Sequence, residues 1–214
     1  MHEKWAYFMP ELVVRPQKIK VFGRPGGGYC GLVKMPNEIW LGYAGTLGIS
    51  YNLPLVFEAM KRVNDNRLRF IIMGDGPLRR DFELMSSDLN VVYTGRLEYS
   101  QMCGVLTVCD AVVNPIIGSS VASIINKHAD YAACGKAVIN TQNSEEYKAL
   151  IDEYKMGINC DSSEKNDMEN ALRWLVQGQI DWTRMGENAR MCAESVFDRK
   201  KTYIELRKVI VQGK

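Results

Sequence analysis

Residues 126–140, NKHADYAACGKAVIN, decide the reading of the fold, because they join a helix with one acidic position to a buried strand through a glycine stop. Ala129, Ala132 and Ala133 keep one helical face thin enough for close packing. Gly135 supplies the left-handed residue that ends a helix, and residues 137–139 read as a short apolar strand. A junction of this kind is a candidate ligand edge of an α/β sheet. Asp130 is then a carboxylate fixed on a rigid element, read either as a ligand group or as a solvated surface acid.

Working outward, short apolar strands alternate with amphipathic helices from residue 39 onward. That alternation is the pattern of right-handed crossovers, which build a parallel sheet covered on both faces. Residues 39–44 give the first strand. A helix over 53–63 carries Leu53, Val56, Phe57 and Met60 on one face, with Pro54 tolerated in its opening turn. Residues 69–73 are the second strand, followed by MGDGP and a helix with Leu78, Phe82 and Met85. Residues 90–94 form the third strand, and a helix with Met102, Val105, Leu106 and Cys109 on one stripe leads to the fourth at 111–113, broken by Asn114 and Pro115. The fifth strand is 137–139. The remainder reads as mostly helical, with a last segment over 198–211 that spaces Tyr203, Leu206 and Ile210 for packing. The fold class is α/β, a Rossmann-like parallel sheet with helices on both faces.

The first 38 residues differ, with aromatics at Trp5, Tyr7 and Phe8, a strand near 18–22, and then GRPGGGYCG. That glycine run reads as a linker rather than a phosphate-cradling loop, since no GK[ST] follows it. Residues 1–38 are thus an amino-terminal segment and linker, and residues 39–214 a folded domain.

The 214 residues with 46% hydrophobic content can bury a real core. Twenty-seven basic against 25 acidic residues leave a net charge of +2, which gives no strong electrostatic attraction for nucleic acid. The six cysteines show no CxxC pair, and His2 and His128 provide no zinc-site spacing, so the thiols read as reduced and cytosolic. No apolar signal core and no run long enough to cross a bilayer is present.

In doubly wound sheets ligands bind beyond the carboxyl ends of the strands. Here those ends carry Gly45 and Thr46, Gly74 to Gly76, Gly95 and Arg96, and the stretch 118–123. The segment IGSSVASIINK lacks bulky side chains before a helix begins, so its amides and the positive helix end suit a phosphate, aided by serine hydroxyls and Lys127. A plain serine N-cap is the other reading.

Taken together, LGYAGTLGISYNL, FIIMGDGPL, VVYTGRL, CDAVVNPI, NKHADYAACGKAVINTQ and FDRKKTY resemble the carboxyl-terminal, donor-binding half of retaining GT-B glycosyltransferases. The likeness covers about residues 40–211 and is greatest to bacterial enzymes of capsule, O-antigen and exopolysaccharide assembly. It implies a nucleotide diphosphate sugar, UDP- or GDP-linked, as donor substrate, with no cofactor and no metal. By the same resemblance Asp130 grips the ribose hydroxyls, and residues 119–125, with Ser119, Ser120, Ser123 and Ile124, hold the diphosphate. Gly45 and Thr46 lie along the diphosphate and sugar, and Arg96 and Leu97 border the base. The catalytic residue is not implied. The partners implied are the nucleotide sugar and an acceptor domain or subunit, with self-association as a further expectation. The location implied is the cytoplasm, at the inner membrane face where a partner or further domain brings the chain there.

Three departures from the family's pattern stand out. Ala122 occupies the place of the first of two glutamates. Residues 47–60 contain no basic side chain where a lysine or arginine is usual, leaving Lys127 or Arg96 as substitutes. The 38 amino-terminal residues are too few for an acceptor domain. Three readings therefore compete: half of a glycosyltransferase, a nucleotide-sugar-binding module without turnover, and a relative of nucleotide-sugar epimerases, for which the needed His and Glu residues cannot be placed.

Overall fold

Continuous apolar runs suit strands buried on both faces, and the computed structural model, which describes residues 32–117 and 124–198, buries most of residues 39–44, 68–73, 111–114 and 138–140 in this way. In chain order the elements are β1 (Ile39–Ala44), α1 (Leu53–Val63), β2 (Leu68–Met73), α2 (Arg79–Met85), β3 (Val91–Gly95), α3 (Tyr99–Val108), β4 (Ala111–Asn114), α4 (Asn126–Ala133), β5 (Val138–Asn140), α5 (Glu145–Tyr154), β6 (Gly157–Asn159), α6 (Lys165–Gln177) and α7 (Trp182–Val196). The strands form one sheet in the order β3-β2-β1-β4-β5-β6, and every pairing is parallel.

Strand periodicity divides the core in two. Leu41, Tyr43, Phe70, Ile72, Val113 and Ile139 point to one face, where Val56 and Phe57 of α1, Phe82 of α2 and Met168 and Leu172 of α6 cover them. Trp40, Ile71, Val112 and Val138 point to the other, under Val105 and Leu106 of α3, Tyr131 of α4, Ile151 of α5 and Cys192 of α7. Packing onto this second face already includes Leu32, and Lys34 Nζ donates to Asp110 Oδ2 at 2.5 Å. Helix α1 opens with Asn52 Oδ1 accepting the Leu55 N–H at 3.2 Å and closes on Asn64 in the left-handed region, φ 49°.

Several expectations need correction. Strand β2 starts one residue earlier than expected, and β3 and β5 each lie one residue later at both ends, because neighbouring strands set where pairing stops. Met85 is 50% exposed and is not part of the packed stripe of α2. A sixth strand, β6, was not expected, since Gly157–Asn159 offers only one apolar residue and lies at the sheet edge. Asn114 does not break β4 but belongs to it. Its amide donates to Asn140 Oδ1 at 2.9 Å, and Asn140 Nδ2 donates in turn to Asn159 Oδ1 at 3.0 Å. Asn114, Asn140 and Asn159 are in register, so a polar ladder closes β4, β5 and β6 at their carboxyl ends. The expected segments at 5–8, 18–22, 23–31 and 198–211 fall wholly or almost wholly outside the described residues.

Candidate functional site

Beyond the carboxyl ends of β1 to β4 the connecting loops bond to one another. The Gly45 N–H donates to Met73 O at 3.0 Å, the Gly74 N–H to Gly95 O at 2.9 Å, the Leu47 N–H to Asp75 O at 3.0 Å and the Asn52 N–H to Pro115 O at 2.6 Å. Glycine is required at 74 and 76 for space: a Cβ would overlap the carbonyl of Gly45 or of Leu47. The result is a continuous backbone edge made from loops far apart in sequence.

Helix α4 is fixed against this edge by its inward side chains. The Ala44 N–H donates to Tyr131 Oη at 2.9 Å, joining the helix to the last residue of β1. His128 is fully buried and stacks on Tyr147 with ring centroids 3.5 Å apart. Burial pushes its pKa down to about 3, so the ring is neutral, and Nδ1 accepts the Ile125 N–H at 3.2 Å. Lys127 and Asp130, three residues apart, share the adjoining face of α4.

Lys127 lies along protein surface, with its stem half-buried and its Nζ shielded from water. The Nζ stands 3.9 Å from the centroid of the Tyr51 ring and 4.5 Å from that of Tyr43. Those rings meet edge to face at 5.7 Å, and Tyr43 Oη donates to Thr46 O at 2.8 Å. Among the described residues Lys127 Nζ has no hydrogen-bond partner. Burial lowers its pKa to about 7, while attraction to two ring faces favours the charged form and opposes that shift. Gly45 is adjacent: a Cβ there would sit 2.9 Å from Lys127 Nζ and 2.8 Å from Tyr43 Oη. A partly desolvated cation beside open backbone is suited to an anionic group.

Asp130 lies on the same side, one turn further along α4. Its Oδ1 accepts the Tyr99 hydroxyl at 2.8 Å. Tyr99 opens α3, directly after the loop that contains Arg96 and Leu97. Arg96 is exposed, and Leu97 is half-buried against the core of the second face.

The structure thus brings Gly45 next to Lys127 and brings Asp130 next to the segment that carries Arg96 and Leu97. The Thr46 side chain is exposed and Ile124 half-buried. Ser119, Ser120 and Ser123 lie outside the described residues, as does Ala122. Sequence reasoning missed Tyr43, Tyr51 and Tyr99. Tyr43 alternates like any core residue of a strand, so nothing local marks it, whereas Tyr99 follows GRL closely enough to have been a candidate.

Concavity alone would point elsewhere. Two clefts of about 430 Å³ each open near the amino ends of β1 and β4, and both include Asp110, Trp182 and Thr183. The first is lined by no Lys or Arg among the described residues, and the cations of the second are already engaged, Lys136 with Cys109 O and Arg190 with Ala133 O, so the glycine-rich carboxyl edge is the better candidate. Among the described residues no three or more His, Cys, Asp or Glu side chains gather as a metal site, and no helix is long and apolar enough to cross a membrane.

A parallel sheet with helices on both faces, and with glycine loops, a shielded lysine and a carboxylate at its carboxyl edge, is a Rossmann-like arrangement. The chain belongs to the family described as glycosyl transferases group 1, whose model matches residues 38–178. Solved structures share the fold at low identity. Anabaena Alr3699/HepE, solved in complex with UDP, aligns with a TM-score of 0.72 at 14% identity over 83% of this chain and 50% of its own. Sucrose-phosphate synthase from Thermosynechococcus elongatus aligns with a TM-score of 0.69 at 15% identity, over 82% and 45%. The catalytic domain of cholesterol-alpha-glucosyltransferase from Helicobacter pylori aligns with a TM-score of 0.59 at 14% identity, over 72% and 96%. The chain therefore spans about half the length of the first two. No curated protein matches the sequence.

Proposed function

We propose that this chain is the donor-binding, carboxyl-terminal half of a retaining GT-B glycosyltransferase that moves a sugar from a nucleotide diphosphate sugar to a glycan or lipid-linked acceptor in bacterial surface polysaccharide synthesis. The observation that carries the donor role is Lys127: a shielded ammonium with no hydrogen-bond partner among the described residues, beside the open backbone of Gly45. In this reading Lys127 supplies the positive charge absent from residues 47–60 and stabilises the departing nucleoside diphosphate without a metal ion. Gly45 and Thr46 line the diphosphate and sugar, and Ser119, Ser120, Ser123 and Ile124 hold the diphosphate. Asp130 accepts the ribose hydroxyls, and Arg96 and Leu97 border the base. Alr3699/HepE has also been solved with UDP-glucose, and WaaG, a further structural neighbour, is described as involved in lipopolysaccharide biosynthesis, which supports the substrate and pathway proposed.

Residues 1–38 are proposed as a segment and linker and residues 39–214 as the donor domain, with the acceptor half supplied by further chain or by a separate subunit. Ile49, 78% exposed, and Ile117, 37% exposed, lie on the loops of the same edge and favour such a partner. We propose a cytoplasmic location, at the inner membrane face when the partner binds there. Ala122 favours a second reading, a nucleotide-sugar-binding module without turnover, and transfer in the presence of an acceptor half separates the two.

Asp130→Ala tests the site. Removing a charge-assisted acceptor should weaken UDP or GDP binding by about 1.5–3 kcal/mol, roughly 10- to 150-fold, and change folding stability little. Titration calorimetry on both proteins decides it, and equal affinities would remove Asp130 from the site.

A further inference from the structure

A tyrosine that is 38% exposed can satisfy its hydroxyl with water, yet the Tyr99 hydroxyl donates to Asp130 Oδ1 at 2.8 Å. A half-exposed bond of this kind adds little to folding, so its consequence is geometric. A carboxylate carries about four lone-pair sites, and accepting the Tyr99 hydroxyl takes up one of them and restrains the orientation of the group.

The surroundings of the pair are stiff. Tyr99 begins α3 immediately after Glu98, whose N–H is capped by Gln101 Oε1 at 3.2 Å. One turn on, Cys103 is buried, and the thiol of Cys134 at the end of α4 reaches its carbonyl at 4.0 Å. Helices α3 and α4 are thereby in contact on the side of Tyr99 and Asp130. Arg96 and Leu97 precede Tyr99 by three and two residues, so the loop assigned to the base and the carboxylate assigned to the ribose are joined through one hydroxyl.

We propose that Tyr99 is a positioning residue for the donor nucleotide, holding the Asp130 carboxylate in the orientation that the ribose hydroxyls require and coupling it to the loop beside the base. The proposal rests on Asp130 being the ribose acceptor. Burial, with the neighbouring carboxylate adding to it, raises the Tyr99 pKa, which keeps the hydroxyl a donor at all working pH values. Tyr99 itself need not touch the ligand; it selects for ribose by removing the alternative rotamers of Asp130.

The test compares the intact chain with Tyr99→Phe and Asp130→Ala, using whichever of UDP or GDP the parent binds more tightly together with its 2′-deoxy analogue. The parent is expected to prefer the ribonucleotide by about 10-fold, as for a charge-assisted bond. Tyr99→Phe should reduce that preference to about 2- to 3-fold while its melting temperature stays within a few degrees of the parent, because the replaced bond is half-exposed. Asp130→Ala should abolish the preference. If Asp130→Ala abolishes it and Tyr99→Phe leaves it at the parent's value, Tyr99 is only a helix tie and the proposal is overturned while the site stands. If neither variant changes it, the assignment of Asp130 fails, and with it the basis of the proposal.

Discussion

Lys127→Met is expected to weaken nucleoside diphosphate binding on the order of 100-fold, as for loss of a charged hydrogen-bond donor, while making the unliganded domain more stable. The two effects have one cause. The unfolded lysine holds its proton up to about 10.5, whereas burial brings the folded value down to about 7. Between those values the unfolded chain binds more protons, so this residue makes stability rise with pH, and below about 7 its cost is present in full. Attraction to the Tyr43 and Tyr51 rings offsets part of that cost, which leaves a gain for the methionine variant of roughly 2 kcal/mol near pH 6. The gain should fade as pH rises toward 10. Denaturation of both proteins from pH 6 to 10 measures it; curves that stay parallel would show that Lys127 carries no buried-charge penalty. A diphosphate that draws the ammonium to itself should also take up a proton above pH 7, seen as a dependence of binding heat on the buffer.

Gly74→Ala is expected to be the most damaging single methyl addition at the proposed edge. The new Cβ would fall inside the van der Waals envelope of the Gly45 carbonyl, and both loops are held by ladder bonds from Gly45 N to Met73 O and from Gly74 N to Gly95 O. Neither backbone can yield without breaking one of them. A loss of about 3 kcal/mol or more, and a fall in melting temperature on the order of 10 °C, should follow. Nucleotide affinity should fall as well, since the displaced carbonyl belongs to the residue beside Lys127. Gly104→Ala is the control: it lies within α3 with nothing within 4 Å of the added methyl, and should be neutral or stabilising by up to about 1 kcal/mol. Comparable losses for both substitutions would mean that the close contact at Gly74 is not what matters.

Elements whose own sequence carries their period were legible. The helix at Leu53–Val63 has its apolar stripe, proline in the first turn and an asparagine cap, and Ile39–Ala44 is apolar on both faces because both are covered. Gly135 has the left-handed conformation, φ 65°, that its place after a helix demanded. Legibility failed where pairing is long-range. Gly157–Asn159 becomes a strand only because β5 offers an edge, and Asn114 is tolerated in a buried strand only because Asn140 and Gln142 accept its amide hydrogens. The site divides in the same way. Glycines after strands are visible in one dimension, so Gly45 and Gly95 could be placed at the carboxyl edge of the sheet, where the site is proposed. The shielding of Lys127 by Tyr43 and Tyr51, and the bond from Tyr99 to Asp130, each join residues 31 to 84 positions apart, and no local pattern records them.

The central claim is that this domain binds a nucleoside diphosphate through protein groups alone. Titration calorimetry of the chain with UDP and with GDP, in buffer containing a chelator, tests it most directly. The account predicts saturable binding of at least one of them at or below about 1 mM, roughly −4 kcal/mol, with no divalent metal present. No heat and no thermal shift with either nucleotide at millimolar concentration, or binding that appears only when magnesium is added, would contradict it.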